Sequence, residues 1–258
     1  MLEFGNDYRG RSQPSVQKIM LLIVVLIISG ITILAHTAPF AFIFDYANRE
    51  VSVWRLSEPA QRKIVFLTFD DGPNPTATPG LLDLLKEKNV RATFFLIDKY
   101  VNQETAPIVR RMFEEGHAVG LHSDDRWLMM SSAGKLGEKL RAAAARVESL
   151  AGSPPCPIFR PHAGWRSLSM LRGVERLKYR LIGWSWMTWD WYWFRKRTAD
   201  RVAAQIVSHA APGKIIVIHD GHYKNPRAER RYAIEAAGRI IDTLRARGYE
   251  FGTLCHLN

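Results

Sequence analysis

Cysteine is almost missing from this chain: two occur in 258 residues, Cys156 and Cys255. Their spacing is not that of a metal site, so thiolate chemistry is not the reading. They are taken as two unpaired small core residues, with a bond across the fold as the alternative. No internal repeat is evident. Apolar residues at 47% and charged residues at 24% leave no room for long disorder. Negative charge is in deficit, 25 acidic against 36 basic side chains, for a net charge of +11. That balance suggests an anionic partner such as a nucleic acid, a lipid surface or a phosphorylated substrate. The length fits one large domain or two small ones.

One long hydrophobic run is present. Ile19 to Ala35, "IMLLIVVLIISGITILA", holds no charge. It falls slightly short of the ~20 residues of a spanning helix, but flanking residues extend it. A cleaved signal peptide competes with this reading. The end "AHTAPF" puts His36 at the −3 position and Pro39 just after the cut, a poor cleavage site, so an uncleaved signal anchor is favoured. The expected organisation is a cytoplasmic tail (1–18), a single-pass transmembrane anchor (19–36), a connector (37–60) and a globular domain (61–258) on the extracytoplasmic side. The positive-inside bias behind that orientation is slight: Arg9, Arg11 and Lys18 precede the span, Arg49 and Arg55 follow it.

From Lys63 onward, short apolar runs alternate with segments of helical spacing. The runs are "IVFLTF" (64–69), "TFFLI" (93–97), "HAVGL" (117–121), "PIF" (157–159), "RLIGWSW" (180–186), "KIIVIH" (214–219) and "YEFGTL" (249–254). Nearly continuous hydrophobicity marks parallel strands buried on both faces. Thr78 before Pro79 resembles an N-cap, and Gly116 and Gly248 resemble helix stops. The expected fold is α/β, a distorted parallel (β/α) barrel of about seven strands, with an open doubly wound sheet as the alternative. In either, the functional site lies at the carboxyl ends of the strands.

Polar residues cluster at those ends. The first strand runs into "TFDDGPNP", the third ends in His122, the fourth in Arg160, the fifth leads to Asp190 and Trp191, and the sixth ends in His219 and Asp220. Asp-Asp-Gly-Pro alone is ordinary turn chemistry. Five strand ends carrying Asp, His, Arg, Asp and His are not explained that way.

The order and spacing of "TFDDGP" (68–73), "HSDDR" (122–126), "RPHAG" (160–164), "MTWDW" (187–191) and "IVIHD" (216–220) resemble the NodB-homology polysaccharide deacetylases, carbohydrate esterase family four. The resemblance covers about residues 60–258. It implies a distorted (β/α) barrel and metal-dependent removal of acetyl groups from amino sugars. By position it implies Asp70 as general base, Arg160 as its orienting partner, and His219 as general acid held by Asp190. It further implies Trp191 and Val217 lining an acetyl pocket, the backbone N–H of Ala163 facing an oxyanion, and Asp71 and His122 as ligands of a divalent ion (Zn, Mn or Co).

Three motifs depart from the family pattern. Met187 stands for the first Asp of the fourth, and His162 and Ala163 stand for Pro and Tyr in the third. Most consequential is Arg126, where a second ligating His belongs, because a guanidinium has no lone pair for a metal. Asp125 is the expected substitute, being at i+3 from His122 as on a shared helix face. Asp124 is a weaker candidate and His162 a remote one. Solvent-facing Asp124 and Asp125 are the competing account. A carboxylate in place of imidazole would favour an oxygen-preferring ion such as Mn²⁺.

Two basic clusters, "RKR" (195–197) and "KNPRAERR" (224–231), suit a lipid-linked or anionic sugar, against the default of a solvated surface. Trp193 and Phe194 suit a sugar-stacking or membrane-facing edge. Nucleic acid is not expected, and the sequence leaves oligomeric state open. The expected protein is a membrane-anchored carbohydrate N-deacetylase of the cell envelope. Its rival is a metal-free, inactive glycan-binding homologue.

Overall fold

The computed structural model describes residues 15–57, 62–187 and 198–255. Helix α1 (Val16–Thr37) begins at Ser15, whose side chain accepts from the Lys18 N–H at 3.4 Å. It stands clear of the domain, and only Ala35 is buried. A short helix α2 (Ile43–Ala47) and strand β1 (Ser52–Val53) complete the connector.

The domain alternates strands and helices: β2 (Ile64–Gly72), α3 (Thr78–Glu87), β3 (Thr93–Ile97), α4 (Ala106–Glu114), β4 (Ala118–His122), α5 (Ala133–Ala151), β5 (Ile158–Arg160), α6 (Leu168–Arg176), β6 (Arg180–Ile182), β7 (Trp186–Met187), α7 (Ala199–Ser208), β8 (Ile215–His219), α8 (Arg231–Ala246) and β9 (Glu250–Gly252). The strands form one sheet in the order β1-β6-β5-β4-β3-β2-β8-β7, with β9 added to the start of β2. All named pairings are parallel. The distorted parallel barrel of about seven strands expected from the alternation is therefore present as a curled sheet, in which the run 249–254 supplies β9 and the count rises to nine through β1 and the division of the run 180–186.

The run 180–186, expected as one strand, is two. β6 pairs with β5 near one edge, while β7 pairs with β8 at the other. Only residues 183–185 separate them, so the sheet must curl until its edges nearly meet. Gly183 makes the crossing possible: a Cβ there would lie 2.2 Å from the Trp54 ring.

Alternation along the strands then sorts the side chains. Val65, Leu67 and Phe69 of β2 pack outward under the helices with Phe94, Leu121, Phe159 and Ile218. Ile64 and Phe66 point into the curl with Phe95, Ile158, Ile182 and Ile215. Continuing that inward phase by twos gives Thr68 and Asp70 on β2, His122 on β4, Arg160 on β5, and Val217 and His219 on β8. Side chains that fill the barrel low down thus become polar ones at its carboxyl end.

Two expectations need correction. Cys156 and Cys255 form a disulfide, with Cα atoms 5.2 Å apart and a sequence separation of 99. Their separation in sequence concealed a contact made when the chain after β9 returns beneath β5. Thr78 does not cap α3 from outside, because the helix begins at Thr78 itself with Ala77 at the N-cap. Its hydroxyl instead accepts from the Asn74 N–H at 2.9 Å and donates to Asp220. Gly116 and Gly248 do follow helix ends in the left-handed region, at φ 76° and 78°.

Candidate active site

Asp70 ends the inward phase of β2, level with His219 on β8. Its carboxylate accepts from Arg160 Nη1 at 2.5 Å. Arg160 is fully buried and anchored on every side. Nη1 also donates to Thr68 Oγ1 at 2.8 Å, Nη2 to the Gly183 carbonyl at 3.0 Å and Nε to the Ile182 carbonyl at 3.3 Å. The guanidinium lies 3.9 Å over the Phe95 ring. A charge so desolvated persists only with this degree of pairing. The result is an aspartate whose orientation is fixed from below by a rigid fork.

The next residue turns away. Asp71 adopts φ 69°, and Gly72–Pro73 is cis. Its carboxylate reaches within 3.3 Å of His122 Nε2. Burial would raise the Asp71 pKa, but the hydrogen bond and charge of His122, with His219 and His162 nearby, hold it well below the usual carboxylate range. The turn requires glycine at a distance: a Cβ on Gly221 would sit 1.9 Å from the Asp71 carbonyl oxygen.

His122 Nδ1 lies 2.8 Å from the Arg160 carbonyl. A carbonyl can only accept, so Nδ1 carries a hydrogen and Nε2 is the ring atom turned towards Asp71. Burial disfavours the charged ring, yet Asp70 and Asp71 raise its pKa overall. The same Nε2 can therefore take a proton or a metal ion, not both.

His162 completes the group. It follows β5 in a single 3-10 turn, His162–Gly164, in which Ala163 has φ 54°. Because β4 and β5 pair with His122 opposite Arg160, the residue two positions on comes up beside His122. Burial, then the His122 charge, pushes its pKa down to about 4, so the ring is neutral near pH 7. Ligand atoms of Asp71, His122 and His162 all lie within 4.8 Å of one another.

This set fits a divalent cation. His162 Nδ1 is buried without a hydrogen-bond partner, and Asp71 Oδ1 has only the 3.3 Å contact with His122 Nε2, as expected of atoms shaped for an ion. One carboxylate and two imidazoles are a common donor set for zinc-like metals and leave a position open for water.

Asp125 is not brought to this group. It is exposed and caps the 3-10 turn Arg126–Met130, accepting from the Trp127 N–H at 2.8 Å. The i+3 argument assumed a helix, but His122 ends a strand and the chain only then enters a 3-10 turn. Asp124 pairs with Lys99. Arg126 is exposed, its guanidinium 5.2 Å over the Trp165 ring. The third donor comes across the sheet, from the position that the sequence ranked as remote.

Val217 is buried inside the curl against Trp54 and Trp184. Asp190 and Trp191, with the cluster 195–197, Trp193 and Phe194, lie outside the described residues. Of the second basic cluster, Arg227 pairs with Glu104. Arg230 is not a surface charge: it is buried, with Nε donating to the Gly221 carbonyl at 2.7 Å.

Sequence reasoning also missed Asn74, Asp45 and Arg166, and it placed Asp220 at a strand end without giving it a role. Asn74 Nδ2 donates to the carbonyls of Asp220 and Ala228 at 2.9 and 2.8 Å, tying the β2 turn to the β8 turn. Asp220 is buried, and its pKa is pushed up to about 7, chiefly by burial. "DGPNP" and "HDG" were visible as motifs, but only the fold shows them bonded to each other.

A family profile described as "Polysaccharide deacetylase" matches residues 57–182. A peptidoglycan-N-acetylglucosamine deacetylase of Bacillus cereus is 30% identical over 200 residues, 77% of this chain and 90% of the relative. The crystal structure of the Bc1960 peptidoglycan N-acetylglucosamine deacetylase superimposes with a TM-score of 0.71 at 27% identity, covering 83% of this chain and 95% of that one. A family 4 acetyl xylan esterase from Clostridium thermocellum, solved with a cobalt ion, gives 0.65 at 34% identity over 74% and 88%.

Proposed function

The chain belongs to the polysaccharide deacetylase family, the NodB-homology carbohydrate esterases, and from that premise we propose a membrane-anchored, metal-dependent N-deacetylase acting on N-acetylhexosamine units of a cell-envelope glycan or its polyprenyl-linked precursor. The observation that supports it most is the meeting, at one barrel end, of a clamped Asp70–Arg160 pair with three metal-type donors. The names of relatives that deacetylate peptidoglycan N-acetylglucosamine support a glycan of that class as the substrate.

Asp71, His122 and His162 would hold the ion. A divalent ion bound there lowers the pKa of water and polarises the acetyl carbonyl. Asp70 takes the proton from the attacking water, its lone pairs aimed by Arg160. His219, level with Asp70 on the sheet, protonates the leaving nitrogen, and the family motif gives Asp190, outside the described residues, the role of orienting it. The Ala163 N–H, on a backbone turned to positive φ, would face the oxyanion, and Val217 would line the acetyl pocket, a role the family motif also gives to Trp191, which lies outside the described residues.

The apolar α1 supports an anchor. The disulfide supports placement of the domain in an oxidising, extracytoplasmic compartment.

Metal analysis of the purified full chain, with acetate release from N-acetylglucosamine oligomers before and after chelation, tests the proposal. Bound metal and chelator-sensitive acetate release are expected. A protein that binds glycan but neither metal nor releases acetate is the inactive homologue instead.

A further inference from the structure

The catalytic end of the barrel is bolted to the helix that precedes it. Arg166, just after the His162 turn, is fully buried. Its guanidinium donates to the Asp45 carboxylate at 2.5 and 2.9 Å, to the Ala38 carbonyl at 2.7 Å, to Phe40 at 2.8 Å and to Gly164 at 3.0 Å. Its backbone N–H donates to the His36 carbonyl at 3.0 Å, and its carbonyl accepts from His36 Nδ1 at 2.7 Å. Trp184 Nε1 donates to the Pro39 carbonyl at 3.0 Å. No slack chain therefore separates the end of α1 at Thr37 from the loop that carries His162.

Length then sets a height. The 22 residues of α1 span about 33 Å at 1.5 Å each, against a hydrocarbon core of about 30 Å. If α1 crosses a bilayer, His36 emerges at its surface, and the residues bonded to it sit at headgroup level. Those neighbours are unusually apolar for an exposed surface. The turn 126–130 packs on this loop through Ser167 Oγ, which donates to the Met129 carbonyl at 2.6 Å, and through Trp127 against Trp165 at 5.8 Å. Trp127 is 64% exposed, Met130 73% and Leu168 41%. On the connector, Phe40 and Ile43 are each 52% exposed. Arg126 lies over Trp165 at the same edge. Aromatic and apolar residues with an arginine at their border are what a membrane–water interface accommodates.

We infer that this rim, Phe40, Ile43, Trp127, Met130 and Leu168, rests in the bilayer surface, so that the catalytic mouth opens at the membrane and takes membrane-proximal glycan. The inference rests on reading α1 as an anchor, and the test separates the two. The native cysteines are joined, so an introduced cysteine is the sole thiol to label. Leu22→Cys, Met130→Cys, Leu168→Cys and Glu87→Cys full chains, each with an environment-sensitive fluorophore, are reconstituted in phosphatidylethanolamine–phosphatidylglycerol vesicles containing nitroxide lipids. Glu87 is exposed at the end of α3, at the opposite pole of the barrel. Strong quenching at Leu22, and quenching at Met130 and Leu168 several-fold above that at Glu87, is expected. Quenching at Leu22 with Met130 and Leu168 no different from Glu87 overturns the rim. No quenching at Leu22 overturns the anchor, and the rim with it.

Discussion

Opening the disulfide should cost this protein much of its stability while leaving its site intact. Cys156 and Cys255 close a loop across a sequence separation of 99. The chain-entropy relation assigns such a loop about 4.7 kcal/mol at room temperature, as a ceiling. A domain of this size loses roughly 2–4 °C of Tm per kcal/mol, so the double substitution Cys156→Ser, Cys255→Ser should lower Tm by up to about 10–20 °C. Cys156 lies at the entry to β5, whereas Arg160 and His162 lie at its exit. Acetate release at room temperature should therefore survive in the fraction that remains folded. Calorimetry of the full chain in detergent, with and without reductant, provides the comparison. A Tm shift under about 3 °C would show that the bond does not restrict the unfolded chain as reasoned. Loss of activity well below Tm would show that the bond shapes the site itself.

Other substitutions probe the site and its supports. His162→Ala should weaken metal binding at least as much as the 10–100-fold typical of losing an outer partner, whereas Asp125→Ala should not, and Arg126→His should bring no gain; equal effects of His162→Ala and Asp125→Ala in a metal titration would contradict the assignment. His219→Ala should lower turnover by roughly 10²–10⁴-fold, and adding Asp190→Asn should cost little more, whereas multiplicative losses would separate the two residues. Gly221→Ala drives a Cβ into the Asp71 backbone and should abolish metal binding, while Gly134→Ala, with nothing within 4 Å, should be neutral or stabilising by about 0.5–1 kcal/mol. His117, buried and accepting from the Ala92 N–H at 3.1 Å, has its pKa pushed down to about 4, first by burial. The unfolded chain then binds the proton more readily, so stability is full above about pH 6.5 and falls towards pH 4, by up to about 3 kcal/mol; denaturant titrations of His117→Gln should show that slope flattened.

Local chemistry made much of this legible from the chain alone. Apolar runs with intervening helical periodicity are enough to announce parallel strands, because strands covered on both faces have no polar phase to display. "TFDDGP" and "HD" at strand ends announced chemistry, because a barrel places such ends together whatever its details. The third donor was not legible. It depends on β4 and β5 pairing with His122 opposite Arg160, which sets His162 beside His122 although the two are about 40 positions apart in sequence. Asp125 lost its claim for the same reason: proximity in sequence means proximity in space along a helix, and the chain there leaves a strand for a 3-10 turn. Cys156 with Cys255, and Asp45 with Arg166, are likewise contacts between segments about 100 or more residues apart. Residue type and periodicity determine what a segment can bury and what chemistry it can offer. Which of the offered groups meet is decided by register, curl and chain return, and those exist only once the sheet has formed and curled.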